Sequence, residues 1–197
     1  MRKKKKNLPK NLSHIINTYG KDSPEYVIYK KRRRLRDIND IVDFLERLVG
    51  LVILLFVLFG LIFGLNIVSN DDMKPRLSSG DIMLYYRLNG HYQNDDVIVL
   101  KKDQTYVGRI IAQGGDTVDL NTLGNLKVNG NTIVEPNIFT PTKPYQNGAT
   151  FPIKLKKDEV FVLCDNREGS KDSRYYGAVK LSEVKGKVIG VLRRNSI

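Results

Sequence analysis

The residues of this chain that could do chemistry are few, and most fall in three short stretches. There is one cysteine, Cys164, and two histidines, His14 and His91, in unrelated segments. One thiol excludes an internal disulfide and any Cys-x-x-Cys zinc or redox site, and two separated imidazoles make no metal cluster. No metal and no cofactor is expected. Serines, carboxylates and lysines remain. Ser69, Asn70, Asp71 and Asp72 run into Met73-Lys74-Pro75-Arg76-Leu77, followed by Ser78, Ser79 and Gly80-Asp81. A serine beside a lysine whose pKa is lowered by an apolar site is a nucleophile with its base. Two carboxylates sharing a proton are the parts of an aspartic mechanism. Neither is assembled locally. Asp71 and Asp72 are adjacent and point to opposite faces of an extended chain, and so do Lys101 and Lys102 on their strand.

Charge and hydropathy define the elements that must position these residues. The 197 residues include 33 Lys+Arg and 21 Asp+Glu. Residues 1–47 hold 14 basic and 6 acidic side chains, a net of +8, and residues 71–197 hold 19 and 15, a net of +4. Residues 48–70 carry no charge and are dense in Leu, Val, Ile and Phe. Roughly 20 apolar residues at ~1.5 Å each span a bilayer core, so 48–70 is expected to be a transmembrane helix. The run starts too late for a signal peptide and ends without Ala-x-Ala, which points to an uncleaved anchor. The basic runs at 2–6 and 30–34 precede it. They place the N-terminus in the cytoplasm and residues 71–197 outside the cell membrane. They read as topology and lipid-headgroup signals, so the membrane is an expected partner and nucleic acid is not. Within the basic segment 1–47, Leu35, Ile38, Ile41, Val42 and Leu45 recur at helical spacing, an amphipathic helix over 35–47 leading into the span.

Beyond residue 71 the pattern changes to short strands between turn signals. Strands are expected at 81–86, 96–101, 106–112, 126–128, 132–134, 159–164 and 184–192. Asn129-Gly130 marks a tight hairpin. Four prolines between 136 and 152 mark a long loop. The fold class is therefore mainly β, a small barrel or packed-sheet domain over 71–197 after one N-terminal membrane helix.

Three stretches in this order resemble the type I signal peptidases, the Ser/Lys peptidases of family S26. Asp72-Met73-Lys74-Pro75-Arg76-Leu77 with Gly80-Asp81 is similar to that family's Ser-Met-x-Pro-Thr-Leu…Gly-Asp box. Tyr106-Val107-Gly108-Arg109-Ile110-Ile111 with Gly115-Asp116 is similar to Tyr-Val-Lys-Arg-Val-Ile…Pro-Gly-Asp. Cys164-Asp165-Asn166-Arg167, Ser170, Asp172-Ser173-Arg174 and Gly177 resemble Gly-Asp-Asn-Arg-x-x-Ser-x-Asp-Ser-Arg-x-x-Gly, with Cys164 in place of the first glycine. The single span and compact outer domain look like the Gram-positive branch. The resemblance implies a signal-peptidase-like extracytoplasmic β domain. It also implies a structural role for Asp165, Asn166, Arg167, Ser170, Asp172, Ser173 and Arg174, with Asp172 and Arg174 as an ion pair.

In the family the catalytic serine precedes the Met of the first box and the lysine precedes the Arg of the second. Here those positions are Asp72 and Gly108, and the oxyanion helper's position is Asn70. A carboxylate forms no acyl-serine ester, and glycine accepts no proton. No catalytic residue is therefore expected, and the chain reads as a pseudoenzyme of the fold. It resembles the signal-peptidase-like proteins of Gram-positive pilus gene clusters, accessory factors that act with a pilin and a sortase. The alternative is an active or divergent signal peptidase with preprotein substrates. A binding cleft is expected around Asp72, Met73, Pro75, Arg76 and Arg109. Asp72 is expected to pair with Lys74, Arg76 or Arg109, and with the space left at Gly108 to form a polar notch.

Overall fold

The computed structural model describes residues 22–88 and 90–193, together with residues 18 and 20. The basic run at 2–6 and His14 lie outside the described residues. Two compact units divide the chain, Met1–Leu55 and Phe56–Ile197.

In the first unit the amphipathic stretch and the apolar run form one element. Helix α1 spans Pro24–Phe56 without a break, 33 residues. Ser23 opens it, its hydroxyl accepting from the Tyr26 amide at 3.3 Å, the N-cap bond that satisfies an orphan donor. Pro24 takes the first helical position, where its missing N–H costs nothing. The helical path then widens into a π-helical stretch, Val57–Ile62.

The end of this helix differs from the expectation. Helical structure stops at Ile62, and β1, Phe63–Ile67, pairs antiparallel with β2, Ile82–Tyr86. The expected span of 48–70 therefore loses its last third to the sheet. An uninterrupted apolar run has no period that separates a helix from a buried strand. The partner strand decides, and β2 offers Met83 and Tyr85 as inward residues opposite Asn66 and Gly64.

The second unit is built on antiparallel pairing. The remaining elements are β3 (Val97–Lys101), β4 (Thr105–Ala112), β5 (Thr117–Leu120), β6 (Leu126–Val128), β7 (Asn131–Thr132), β8 (Ile153–Lys154), β9 (Glu159–Leu163), a one-turn helix α2 (Ser173–Tyr176), β10 (Val179–Lys180) and β11 (Val184–Leu192). One sheet has the order β1-β2-β11-β3-β4-β9-β10, the other β7-β6-β5-β8. β3 and β9 read as continuous apolar runs because both of their faces are covered: Ile98, Val99, Leu100, Val160, Phe161, Val162 and Leu163 are all buried. Burial of such residues contributes about 1.5–3 kcal/mol each. Asn129 and Gly130 take positive φ, 53° and 82°, the left-handed pair that a tight hairpin between β6 and β7 requires. The strand expected at 132–134 is reduced to Asn131–Thr132, and Val134 stands exposed. Strands β1, β5, β8 and β10 had no sequence expectation.

The proline-rich stretch holds no helix or strand between Thr132 and Ile153, as expected of a loop. It is nonetheless pinned against α2. Ala149 donates its amide to Arg174 O at 2.8 Å, and Gly148 lies so close that a Cβ there would stand 2.2 Å from the same carbonyl oxygen. Backbone cannot yield as a side-chain tip can. Gly148→Ala should therefore destabilise the chain by about 1–3 kcal/mol, the usual cost of overpacking. Thermal melting of the full chain in detergent micelles checks this. Unchanged melting would show that the loop does not depend on this contact.

Candidate functional site

The third box supplies the frame of the site. Asp172 caps α2, accepting from the Arg174 amide at 3.0 Å. Its carboxylate also takes Arg174 Nε at 2.9 Å and Nη2 at 2.8 Å, and accepts from the Cys164 amide at 3.1 Å. Both partners of this ion pair are buried. Ser173 Oγ accepts from the Val162 amide at 3.0 Å, so cap and helix are fastened to β9. Ser170 Oγ donates to Asn166 O at 2.6 Å, closing the intervening turn.

Two further arginines are neutralised in place. Arg109, on β4, forks onto Asp165 at 2.8 and 2.6 Å and donates to Asp95 O at 2.8 Å. Arg167 donates to Cys164 O at 2.7 Å, to Thr142 Oγ1, and to Glu135 Oε1 at 2.6 Å. Planar guanidinium forks are the side chains best suited to such dry, bidentate pairing. Glu135, Thr142 and Tyr145 were not anticipated from the sequence. Tyr145 donates to Ser170 O at 2.7 Å and lies 4.8 Å under the Arg174 guanidinium. A fully buried arginine demands acceptors, which is the one signal that partners existed, but it does not say which loop supplies them.

The first box is stitched to the third through its backbone. The Asn166 amide donates to Asp72 O at 2.9 Å, and Asn166 Nδ2 to Asp71 O at 3.4 Å. Asp71 is exposed, bound to Lys74 at 2.8 Å and to the Ser79 amide at 2.9 Å, and both contacts lower its pKa. Asp72 is half-buried. Its carboxylate accepts from Asn70 Nδ2 at 2.8 Å. Among the described residues no Lys or Arg pairs with it, contrary to the expectation: Lys74 is taken by Asp71, Arg109 by Asp165, and Arg76 points elsewhere, into a cavity. Burial raises the Asp72 pKa above the ordinary carboxylate value. The Asp172 and Asp71 charges add to that, while the Ser170 hydroxyl and the Asn70 amide hold the charged form.

Gly108 lies on β4. Space at this position is already filled. A Cβ built there would meet Val162 Cγ1 at 2.5 Å and Leu163 O at 3.2 Å. The buried Cys164 thiol donates to Val107 O at 3.5 Å, one peptide away. Its pKa is raised by burial first and by the Asp172 and Asp72 charges next, so the thiol is protonated and unreactive. The expected notch at Gly108 is thus closed by Val162. Of the residues expected to border a cleft, Met73 lies in the core with Leu77 and Met83. Pro75, Arg76 and Arg109 line a cavity of about 520 Å³, together with Glu135, Phe139 and Asp165. Asp72 is not part of that lining. No group of three metal-ligating side chains occurs among the described residues.

An antiparallel β unit whose polar centre is a set of buried Arg–carboxylate pairs, set beside a Met-x-Pro-x-Leu turn, defines a class that comparison with known proteins makes specific. The family described as "Signal peptidase, peptidase S26" matches residues 41–192. The chain belongs to that family. Signal peptidase I P of Bacillus subtilis subsp. natto is 33% identical over 125 residues, 57% of this chain and 67% of that protein. Signal peptidase I of Bacillus caldolyticus is 30% identical over 142 residues, 64% of this chain and 78% of that protein. The crystal structure of a signal peptidase I from Enterococcus faecalis V583 is 27% identical, covering 50% of this chain and 97% of that one with a TM-score of 0.41.

The Asp72 environment predicts a pH dependence. A carboxyl whose folded pKa is raised above its ordinary 3.8 stabilises the fold only when protonated. That contribution is complete below the ordinary value and lost as pH rises through the raised one. At pH 7 the charged Asp72 therefore works against folding. Asp72→Asn keeps the shape and the Asn70 contact while removing the charge. It should raise Tm at pH 7, with the gain shrinking to nothing below about pH 4. An equal gain at both pH values, or a loss at pH 7, would show that the carboxylate has a cation.

Proposed function

We propose that this chain is a membrane-anchored member of the signal peptidase family that does not cleave. In this reading it serves as an accessory, chaperone-like factor in the assembly of a surface protein, with a pilin and a sortase as its partners. The carrying observation is the pair of residues at the dyad positions. Asp72 offers no serine hydroxyl, and Gly108 offers neither an amine nor room for one beside Val162. A retained frame without a nucleophile or base is suited to holding a chain. The open edges β1 and β10 of one sheet, and β7 and β8 of the other, leave backbone groups to which an extended segment can add as a strand.

The anchor is α1 with its π-helical extension. This helix is long and apolar enough to cross a membrane. Its uncharged part, residues 48–62, covers about 22 Å at ~1.5 Å per residue. That is short of a hydrocarbon core of ~30 Å, a deficit met by local thinning and by snorkelling of Arg47. The basic segment before it places the N-terminus in the cytoplasm and the β unit outside.

Asp72 is the carboxylate of this region without a cation, and it is the natural contact for a lysine, arginine or amide side chain of the held segment. Two outcomes follow. The full chain in detergent micelles should leave a preprotein with small residues at its cleavage site intact. Cleavage that disappears in Asp72→Ala would establish instead a divergent peptidase acting on preproteins. In co-precipitation with the assembly partner, Asp72→Ala should weaken binding by about 1–3 kcal/mol, the range for losing a charged hydrogen bond. Undiminished binding would move the contact away from the first box.

A further inference from the structure

Helix α1 carries an apolar stripe that nothing in the chain's described structure covers. From residue 35 onward the stripe keeps a strict seven-residue register. Leu35, Val42 and Val49 occupy one heptad position, a, and Ile38, Leu45 and Val52 occupy another, d, with Ile41 and Leu48 beside them at g. All eight are between 42 and 58% exposed. The charged residues Arg36, Asp37, Asp40, Asp43, Glu46 and Arg47 all fall at the remaining positions. A repeat of 3.5 residues is the signature of helices that wind around one another, whereas a helix lying against a flat surface follows 3.6.

Continuity of the helix decides among the occupants of this stripe. An amphipathic segment ahead of a span could lie flat in the headgroup layer, but that needs a break at the membrane surface. α1 has none: Pro24–Phe56 is one helix, about 50 Å long at ~1.5 Å per residue. Residues 35–47 therefore project from the bilayer along the direction of the span, their apolar stripe facing water. The stripe also runs on, in the same register, through Val49 and Val52 into the uncharged run. A partner that covers it on both sides of the membrane surface must itself be a helix entering the membrane alongside α1 with the same orientation. A second copy of this chain meets that requirement by construction. Val42 and Val49 at a with Leu45 at d is the combination that favours two parallel strands, although Ile38 and Val52 at d depart from it.

We infer that the chain is a parallel homodimer held by a coiled coil of α1 over residues 35–52. The inference rests on the anchored reading above. Such a pairing would present two β units side by side to whatever the second unit binds.

The test uses the full chain in membranes, with single cysteines placed at Ile38 and Leu45 on the stripe and at Asp40 and Arg47 off it. The native Cys164 is buried and serves as the background. Mild oxidation should give at least about fivefold more disulfide-linked dimer for Ile38→Cys and Leu45→Cys than for Asp40→Cys and Arg47→Cys, since d residues face each other across a parallel pair. Equal cross-linking at all four positions, or none, overturns the dimer. Resistance of the protein to alkaline extraction from the same membranes is read in parallel. Loss there would refute the anchor, whereas retained anchoring without stripe-specific cross-linking refutes the coiled coil alone. As a second variant, Ile38→Lys with Leu45→Lys leaves the residues of the β unit untouched and should convert the micelle-solubilised protein from dimer to monomer by light scattering. An unchanged mass would overturn the proposal.

Discussion

The buried Asp172–Arg174 pair is the contact around which the β unit is organised. Asp172 at once caps the one-turn helix, holds the Cys164 amide at the end of β9 and forks onto Arg174. Arg174 in turn gives its carbonyl to Ala149 and its guanidinium face to Tyr145. Two charges taken out of water are tolerable only when geometry and extra hydrogen bonds satisfy them, and removing one member of such a pair costs about 3–5 kcal/mol. The pair is therefore both a liability and an organiser. Everything that satisfies it, from β9 to the proline-rich loop, is fixed in place by the need to do so.

The same logic extends outward in steps. Arg167 and Arg109 are dry as well, and each recruits a carboxylate from a different part of the chain. Asn166, held between them in sequence, then fixes the backbone of Asp72. The first box is thus positioned by the third, and the position of Asp72 is precise even though its side chain has no ionic partner. A carboxylate held firmly, partly desolvated and uncompensated, is poorly placed to help the fold and well placed to meet a cation from outside. That is why the proposed role assigns the contact to Asp72, while Val162 and the Cys164 thiol close the space that a lysine at position 108 would need.

How much of this was legible beforehand depends on the range of the interaction. Charge segregation, the apolar run and the strands around β2, β3, β4 and β9 were readable because each is a property of neighbouring residues. The turn at Asn129-Gly130 was readable for the same reason, since only a few residue types accept its left-handed backbone. The third box was readable as a frame, and its ion pair could be named because the two partners are two residues apart.

What the sequence by itself determined, then, is the division into a basic helix, an apolar anchor and a β unit, and the residues that stand at the two dyad positions. Tertiary structure alone decided where the anchor helix ends, because Phe63–Ile67 becomes a strand only when β2 is there to pair with it. It alone decided that Glu135 and Thr142 belong to the site, since they reach Arg167 across 32 and 25 residues of chain. It alone left Asp72 without a cation, because Lys74 and Arg109, both near it in the sequence reading, had carboxylates closer to hand. The physical reason is common to all three. Local propensity sets what a segment can become, whereas the cost of burying an unpaired polar group is settled only when the whole chain has chosen its neighbours.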